Sequence, residues 1–485
     1  MHIVFAASEG VPYVKTGGLA EVVGAVPREV VKLGHQATVY LPYYRQVRER
    51  VPEKNAVIRS LTMPFQSYNR FAAVLDGGVQ EGVQFYFVDC PELFDRESLY
   101  STPTGDYLDN WERFGSFSRA VLEAAKQLGA PDIFHVHDWQ TSMLSVYLRT
   151  VYYFDPALRN AGTVLTIHNA GYQGWFPPQT TERLLLPWEV FTMDRVEHYN
   201  TFNYLKGGIV YSDAITTVSR KYAEEIQTPE FGEGLDGTLR KRTVDIHGIL
   251  NGVDYTEWNP ATDHNIAAHY TPENLEGKQI CRRDLLHAFG AEHVPDEMPV
   301  LGIVSRFATQ KGFDLIAEVA PKLLTGDVFL VALGTGEPYY EGLFRSLQEQ
   351  YRGKASIKIA YDSILAHKVE AGSDIFLMPS RYEPCGLNQF YSMKYGTVPV
   401  VHATGGLDDT VDEWDPATKI GSGFKYVNQT ADDFYAALER ALHVFRSDKD
   451  SWIQIMRNGM AKSFTWEKPA REYVEVYGEV ARRHS

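Results

Sequence analysis

Cysteine is scarce in this sequence. The chain of 485 residues contains three, Cys90, Cys281 and Cys385. They lie far apart, and none has a second Cys or His at the spacing of a metal-ligand motif. The sequence therefore supports neither a disulfide framework nor a zinc site, and we expect the protein to work in a reducing compartment such as the cytoplasm.

Long apolar runs and an excess of positive charge are also missing. No stretch of about 18 apolar residues occurs, and the first residues do not combine a charged leader with an apolar core, so we expect neither membrane insertion nor export. Lys and Arg number 47 against 62 Asp and Glu, a net charge of −15. This excess of acidic residues argues against a protein that binds nucleic acids or anionic membranes in general.

What the chain has in quantity is length and aromatic rings. A chain of 485 residues exceeds what one compact core usually organises, which predicts two domains. Apolar residues make up 44% and charged residues 22%, as in a folded globular protein. Aromatic residues make up 13%, and 29 of them are Tyr, whose faces can carry sugar or base rings.

The first half alternates strand-like and helix-like segments. Apolar, β-prone runs and amphipathic stretches alternate, which predicts an α/β domain with a parallel sheet. The predicted strands are 2–7, 36–41, 83–88, 133–136 and 163–167, and the predicted helices are 19–33 and 116–128.

A second series of strands begins near residue 299. Its strands are predicted at 300–305, 328–333, 357–360, 374–378 and 398–402, each followed by a helix-like segment. The polar segment 256–298 is predicted to be the linker. The domains are thus expected at 1–255 and 256–465. The stretch 452–483 looks helical with Pro469 as a kink or break, and its last part, about 466–485, is expected to return to the first domain.

One short pattern occurs in both halves. Lys-Thr-Gly-Gly-Leu at 15–19 matches Ala-Thr-Gly-Gly-Leu at 403–407, and each follows a strand and precedes a helix. Open α/β folds bind ligands at the carboxyl ends of their strands, where both loops would lie. An ordinary tight turn explains either loop alone.

Two further segments of the second half also follow strands. Arg306 and Lys311 suit a diphosphate that gains negative charge, although an exposed basic turn is the alternative. In the segment 379–387, Pro384 suits a first helical turn, which would point the amides of residues 385–387 at an anion or hydroxyl. Glu383 would then bond a sugar hydroxyl or simply cap the helix.

Histidines mark the strand ends of the first half. His168 follows a strand and precedes a glycine- and aromatic-rich loop, which favours a ligand contact. His135 and His137 lie on one strand face, but no further ligands accompany them, so we reject a metal site as the main interpretation. Asp138 and Trp139 suit a sugar contact equally well.

Together these motifs resemble those of bacterial glycogen synthase and plant starch synthase, in the right order from residue 1 to about 480. The motifs are Lys-Thr-Gly-Gly-Leu at 15–19, Thr-Ile-His-Asn at 166–169, Gly-Ile-Leu-Asn-Gly-Val-Asp at 248–254, Ser-Arg at 305–306, Gln-Lys-Gly at 310–312, Glu-Pro-Cys-Gly-Leu at 383–387 and Thr-Gly-Gly-Leu at 404–407. The resemblance implies the GT-B fold, in which two Rossmann-like, doubly wound parallel-sheet domains face each other across a deep cleft. It also implies that the first domain binds the acceptor and the second the nucleotide sugar.

The reaction implied by the resemblance is hexosyl transfer. Glucose passes from ADP-glucose to the non-reducing end of an α-1,4-glucan, such as glycogen or a maltooligosaccharide, with retention of configuration and without a metal or other cofactor. A bacterial cytoplasmic enzyme is expected rather than a mature plastid one. The sequence leaves open whether the preferred donor is ADP-glucose or UDP-glucose and whether the product is glycogen or starch. It also leaves open the processivity, the regulation and the oligomeric state. The alternatives are another retaining GT-B enzyme, forming sucrose phosphate or trehalose phosphate, and a glucan-binding protein that has lost catalysis.

The resemblance also implies roles for individual residues. Glu383, His168, Arg306 and Lys311 would be catalytic, without a nucleophilic carboxylate, and Asp138 with Trp139 would contact the acceptor. One departure is Glu21, where many relatives have Asp. The residues implied to bind the nucleotide sugar are Lys15, Gly17, Gly18, Glu21, Asn251, Tyr361, Cys385, Gly386, Leu387, Thr404, Gly405 and Gly406.

Overall fold

A computed structural model describes residues 1–52, 55–102 and 104–484. The chain divides into two compact units. Unit 1 comprises Met1–Gly252 together with Trp466–Ser485, and unit 2 comprises Val253–Thr465. Each unit is built around its own largely parallel sheet.

Unit 1 contains one large sheet, two small ones and flanking helices. The strands in its described part are β1 (His2–Ala6), β2 (Gln36–Pro42), β3 (Ala56–Pro64), β4 (Asn69–Gln80), β5 (Val83–Asp89), β6 (Ser101–Thr102), β7 (Gly105–Asp106), β8 (Ile133–His137), β9 (Gly162–Ile167), β10 (Trp175–Phe176), β11 (Glu197–His198), β12 (Thr201–Asn203), β13 (Ala214–Thr217) and β14 (Ile246–Gly248). The helices are α1 (Gly18–Lys32), α2 (Arg45–Arg50), α3 (Pro91–Phe94), α4 (Asn110–Leu128), α5 (Asp138–Leu148), α6 (Thr180–Arg183), α7 (Tyr204–Tyr211), α8 (Arg220–Glu225) and α9 (Asp236–Arg240).

The large sheet of unit 1 runs β14-β13-β9-β8-β1-β2-β5-β4-β3. From β14 to β5 all neighbours are parallel, as the strand and helix alternation predicts. The central strands β1, β8 and β9 are buried along nearly their whole length, because helices cover both faces of such a sheet. The strand order reverses between β1 and β8, and this switch point is where open α/β sheets bind ligands.

The antiparallel edge formed by β3 and β4 was not predicted from the sequence. β4 pairs antiparallel with both β5 and β3. Along β3, buried residues are separated by exposed ones, so the strand lacks the continuous apolar run that identified the central strands. An edge hairpin with one solvent-exposed face is therefore harder to recognise from the sequence than a buried central strand.

Unit 2 has one parallel sheet in the order β17-β16-β15-β18-β19-β20. Numbered within the unit, this is 3-2-1-4-5-6, the strand order of a Rossmann fold. The strands are β15 (Val300–Val304), β16 (Phe329–Gly334), β17 (Ala355–Ile359), β18 (Ile375–Met378), β19 (Val398–His402) and β20 (Phe424–Tyr426). The helices are α10 (Glu276–Ala288), α11 (Phe313–Leu323), α12 (Pro338–Gln350), α13 (Ser363–Gly372), α14 (Asn388–Lys394), α15 (Gly405–Thr410), α16 (Ala431–Ser447) and α17 (Lys449–Ala461).

The segment 256–298 is more ordered than the expected linker. It contains α10, which packs on α13. Cys281 of α10 joins Tyr270 and Tyr395 in a small buried cluster of unit 2. The polar composition of the segment hid this helix, because the apolar face of α10 is narrow.

The end of the chain forms two helices. The expectation of one helical stretch kinked or broken at Pro469 is corrected, because α17 ends at Ala461 and α18 spans Glu467–His484. Pro469 lies in the first turn of α18, where its missing N–H costs no hydrogen bond. α18 packs on α1, β8 and β9 of unit 1. None of the helices in the described ranges combines the length and the apolar character that crossing a membrane requires.

A buried hydrogen bond attaches α18 to the sheet. The hydroxyl of Tyr477 is hydrogen-bonded to Nδ1 of His135 at 2.7 Å, and Nε2 of His135 lies 2.6 Å from the hydroxyl of Thr166. Burial lowers the pKa of His135 to about 3, so its ring is neutral at pH 7. The interaction is thus a bond between neutral groups within the core of unit 1.

We expect Tyr477→Phe to destabilise unit 1 by about 1–3 kcal/mol, because Nδ1 of buried His135 then loses its partner. Hydrogen exchange of peptides from β8 and α18, measured in a series of urea concentrations, reports the loss. Tyr199→Phe is the control, because Tyr199 is 76% exposed. Equal effects of the two substitutions would contradict this account.

Candidate functional site

The switch point of unit 2 carries a buried ion pair. Arg306 and Lys311 follow β15, and Glu383 follows β18. Nζ of Lys311 donates to Oε2 of Glu383 at 2.5 Å, and Oγ of Ser380 donates to the same oxygen at 2.9 Å. Glu383 is buried, whereas the Lys311 side chain keeps part of its surface exposed. A cation and a carboxylate therefore meet where the strand order reverses.

The two loops that carry this pair are joined through their backbones. The amide of Arg381 donates to the carbonyl oxygen of Gln310 at 2.8 Å. Gly312 has a φ of 66°, and a Cβ there would lie 2.0 Å from the carbonyl oxygen of Pro379. Only glycine allows this approach. Because Lys311 directly precedes Gly312, the contact of Gly312 with Pro379 also fixes the position of the Lys311 backbone.

The late Gly-Gly loop joins the same group. The amide of Gly406 donates to the carbonyl oxygen of Glu383 at 3.0 Å. A Cβ on Gly405 would lie 2.0 Å from that oxygen, and one on Gly406 would lie 2.0 Å from the carbonyl oxygen of Cys385. The structure thus brings Thr404, Gly405 and Gly406 to the segment 383–387.

The start of α14 corrects one expectation. The helix begins at Asn388 with Leu387 as its N-cap, so Pro384 is not in the first helical turn. Gly386 has a φ of 73°, outside the helical region, which delays the helix. The amides of Cys385, Gly386 and Leu387 therefore lie in the turn that precedes the helix.

Tyr361 lies in the loop between β17 and α13 of unit 2. Its ring is 89% exposed, which leaves both faces open to a partner. Asp362 caps α13 by accepting a hydrogen bond from the amide of Leu365, which fixes the backbone beside the ring. The role of Tyr361 in binding the nucleotide sugar stays a prediction.

In unit 1 the early Gly-Gly loop follows β1. Lys15 forms an ion pair with Glu21, the residue that departs from the family pattern. A Cβ on Gly17 or Gly18 would have no other atom within 4 Å. Unlike Gly405 and Gly406, these glycines are not required by the packing of the chain itself, which favours a requirement set by a ligand.

Glu9 is a member of this group that the sequence analysis missed. It is buried, and Oε1 accepts hydrogen bonds from the hydroxyls of Thr16 at 2.6 Å and Tyr100 at 2.5 Å. It anchors the loop that carries Lys15. Its position three residues after β1, at the carboxyl edge of the sheet, is the signal that could have identified it.

His168 and Asp138 lie on the other side of the same switch point. The amide of His168 donates to Oδ1 of Asp138 at 2.7 Å. Burial lowers the pKa of His168 to about 3, so the ring is neutral at pH 7. Burial also raises the pKa of Asp138 to about 7, although the amides of His168 and Asn169 oppose the shift. Asp138 holds a φ of 53°, which few non-glycine residues adopt.

Trp139 and Asn251 are both buried. Trp139 packs against Gly174 and lies edge-on to Phe114, with ring centroids 5.0 Å apart. Its structural role is thus to shape the loop around Gly174, and its contact with an acceptor stays a prediction. Oδ1 of Asn251 is buried and accepts no hydrogen bond from the described residues, an arrangement that functional sites tolerate.

No group of three or more His, Cys, Asp and Glu side chains in the described ranges has an arrangement that could hold a metal ion. The three histidines nearest the switch point of unit 1, His135, His137 and His168, instead bond to hydroxyls or to each other.

The close approach at Gly406 gives a testable consequence. Gly406→Ala forces the new methyl group into the backbone of Cys385, and we expect a loss of about 1–3 kcal/mol in the stability of unit 2, measured by denaturant unfolding. The control is Gly342→Ala in α12, where a Cβ meets nothing within 4 Å. That change should raise stability by about 0.5–1 kcal/mol, because alanine favours the helix. If Gly406→Ala and Gly342→Ala changed the free energy of unfolding by similar amounts in the same direction, the crowding at Gly406 would be refuted.

Comparison with known proteins places the chain among carbohydrate-active enzymes. Residues 2–241 match the family model described as the starch synthase catalytic domain, and residues 288–454 match glycosyl transferases group 1. The glycogen synthase of Koribacter versatilis is 55% identical over 477 residues, which cover 98% of each chain. That of Thermotoga maritima is 44% identical over 491 residues, again 98% of each chain.

Solved structures agree with this placement. The catalytic domain of starch synthase IV from Arabidopsis thaliana, bound to ADP and acarbose, has a TM-score of 0.89 at 31% identity and covers 99% of each chain. Sucrose-phosphate synthase from Thermosynechococcus elongatus shares the fold alone, with a TM-score of 0.61 at 15% identity over 100% of each chain. The resemblance, the GT-B fold class and the assignment as a glycosyltransferase are confirmed, and the chain belongs to the glycogen and starch synthase family.

Proposed function

We propose that this member of the glycogen and starch synthase family transfers glucose from ADP-glucose to the non-reducing end of an α-1,4-glucan, with retention of configuration and without a metal ion. The observation that carries the proposal is the Lys311–Glu383 pair at the switch point of a Rossmann-ordered sheet, where Lys311 shares the segment between β15 and α11 with Arg306. The donor preference is supported by the starch synthase neighbour, whose structure contains ADP.

The cations of unit 2 account for the leaving diphosphate. Arg306 presents a planar guanidinium and Lys311 a mobile ammonium, and both would offset the negative charge that grows as the glycosidic phosphate bond breaks. Lys15 of unit 1 supplies further positive charge. Amides of the Gly405–Gly406 loop and of residues 385–387 would donate to phosphate or sugar oxygens. These fixed groups perform the role that a bound cation has in other transferases.

Glu383 fits a sugar-binding role better than a nucleophilic one. Its Oε2 already accepts hydrogen bonds from Lys311 and Ser380, which reduces the nucleophilicity of that oxygen. The carboxylate can still accept a hydrogen bond from a hydroxyl of the donor glucose. Retention then follows from attack on the face that the diphosphate leaves, with a departing phosphate oxygen taking the proton of the incoming 4-hydroxyl.

The groups of unit 1 complete the assignment. His168, neutral at pH 7, bonds the 6-hydroxyl of the transferred glucose or contributes its backbone carbonyl near the anomeric carbon. Asp138 with Trp139 forms the acceptor end, and Tyr361 of unit 2 stacks on the adenine. The remaining residues proposed to bind the nucleotide sugar are Gly17, Gly18, Glu21, Asn251, Cys385, Gly386, Leu387 and Thr404. We also propose a cytoplasmic location, because the relatives are bacterial glycogen synthases.

Donor choice and metal dependence are tested together. The purified protein is incubated with glycogen and either ADP-glucose or UDP-glucose, with and without EDTA. We expect faster elongation from ADP-glucose, α-configured products and no effect of EDTA. Fructose 6-phosphate and glucose 6-phosphate, offered against maltooligosaccharides, should accept no glucose. Failure to elongate, or elongation abolished by the chelator, would contradict the proposal.

Lys311→Ala tests the catalytic assignment. Because the cation acts on charge that develops in the transition state, kcat should fall by about 10²–10³-fold. The affinity for glycogen, measured by co-sedimentation, should stay the same. Lys468→Ala, which removes an exposed lysine from α18, is the matched control and should leave both quantities unchanged. Equal losses of rate and glucan affinity in Lys311→Ala would refute the role given to Lys311.

A further inference from the structure

His135 and His137 lie on one face of β8, and the reaction described above uses neither. Their rings are in contact in a tilted arrangement, with centroids 4.2 Å apart and an interplanar angle of 32°. Both are fully buried, and the described residues offer no third ligand for a metal. Neither the proposed reaction nor metal binding therefore accounts for these two buried histidines near His168.

His137 is hydrogen-bonded to His168. Nδ1 of His137 lies 3.0 Å from Nε2 of His168. Burial lowers the pKa of both rings, to about 3 for His168 and well below its usual value for His137, so both are neutral at pH 7. In a bond between two neutral imidazoles, one nitrogen carries the hydrogen and the other accepts it. The direction of this bond therefore fixes the tautomer of each ring.

The surroundings of His137 favour one direction. Its Nε2 is buried and has no hydrogen-bond partner among the described residues. If Nε2 carried the hydrogen, a buried N–H donor would be left unsatisfied, and such donors are rarer than unsatisfied acceptors. The hydrogen of His137 is thus on Nδ1, which donates to Nε2 of His168.

The tautomer of His168 follows. Because Nε2 accepts, the hydrogen of the neutral ring is on Nδ1. This nitrogen has no partner within the described residues and is not among the buried unsatisfied atoms, so an incoming group can reach it. His168 consequently offers a substrate an N–H donor, which suits a hydroxyl or phosphate oxygen.

We propose that His137 is a positioning residue that holds His168 as the Nδ1–H tautomer, with Nδ1 as the nitrogen that donates to the transferred sugar. The sugar contact rests on the function proposed above, whereas the tautomer rests on the hydrogen bonds alone. His137 is itself fixed, because its amide donates to the hydroxyl of Thr141 at 2.7 Å and its ring packs against the tilted ring of His135.

The tautomer is measured directly. In long-range ¹H–¹⁵N correlation spectra of the full chain labelled at histidine, the signals of His168 are assigned by their loss in His168→Gln. We expect the pattern of a neutral ring with hydrogen on Nδ1, constant from pH 8 to pH 5 because the pKa lies near 3. Hydrogen on Nε2 of His168 in the wild-type protein would overturn the proposal.

Two substitutions test the positioning role. His137→Asn keeps an N–H donor near the position of Nδ1, whereas His137→Leu removes it. We expect His137→Leu to shift His168 towards the Nε2–H tautomer and to lower kcat by about 10- to 100-fold with little change in KM, since a misplaced group weakens catalysis more than binding. His137→Asn should restore most of the Nδ1–H tautomer of His168 and most of kcat. His443→Leu, at an exposed histidine of α16, is the control.

The outcomes separate the two proposals. An unchanged tautomer or an unchanged kcat in His137→Leu overturns the positioning role. If that variant does not fold, the wild-type spectrum and His137→Asn still decide. Absence of glucosyl transfer by a wild-type protein that shows the expected spectrum would contradict the proposed function and leave the hydrogen bond in place.

Discussion

The reversal of strand order in a parallel sheet is the constraint on which the rest of this structure depends. In unit 1 the order reverses between β1 and β8, and in unit 2 between β15 and β18. The segments that follow the two neighbouring strands there continue to opposite faces of the sheet, which opens a crevice at the carboxyl edge of the sheet. Lys15, Asp138, Arg306 and Glu383 all occur in segments that leave these four strands.

Main-chain contacts then fix the loops of unit 2 with little help from side chains. Gly312 approaches the backbone of Pro379, and the Gly405–Gly406 loop approaches that of residues 383–385. Because backbone packs on backbone, three loops from different parts of the sequence act as one rigid surface. The ion pair between Lys311 and Glu383 is thus held by loop geometry as well as by its own attraction.

The charge of the whole chain says little about this surface. The net charge of −15 argues against broad binding of polyanions, yet cations lie at both switch points. Lys15 and Lys311 each have a carboxylate partner, Glu21 and Glu383. Each partner keeps its cation in place within its own unit. Neutral His168 adds a hydrogen-bonding group without adding charge.

Much of this was predictable from the sequence. Buried parallel strands read as continuous apolar runs, so β1, β8, β9 and β15 to β19 were found almost at their observed limits, whereas the three-residue edge strand β20 was not predicted. Motifs that follow such strands then marked the site residues. The β3–β4 edge and α10 were missed, because each depends on a partner distant in sequence. The late start of α14 was also missed, because glycine tolerates both a helical and a positive φ and the sequence does not show which of them Gly386 adopts. Glu9 and His137 were also hard to identify, since each is hydrogen-bonded to a residue distant in sequence, Tyr100 and His168.

The attachment of α18 has a consequence for how the protein is made. A ribosome releases residues 1–252 first, but the core of unit 1 then still lacks the helix that supplies Tyr477 to His135. Unit 2 is one continuous segment and can complete its core before residues 467–484 emerge. The N-terminal unit is therefore the last to be finished, and a chain cut short before α18 leaves His135 of β8 without Tyr477 and open to water.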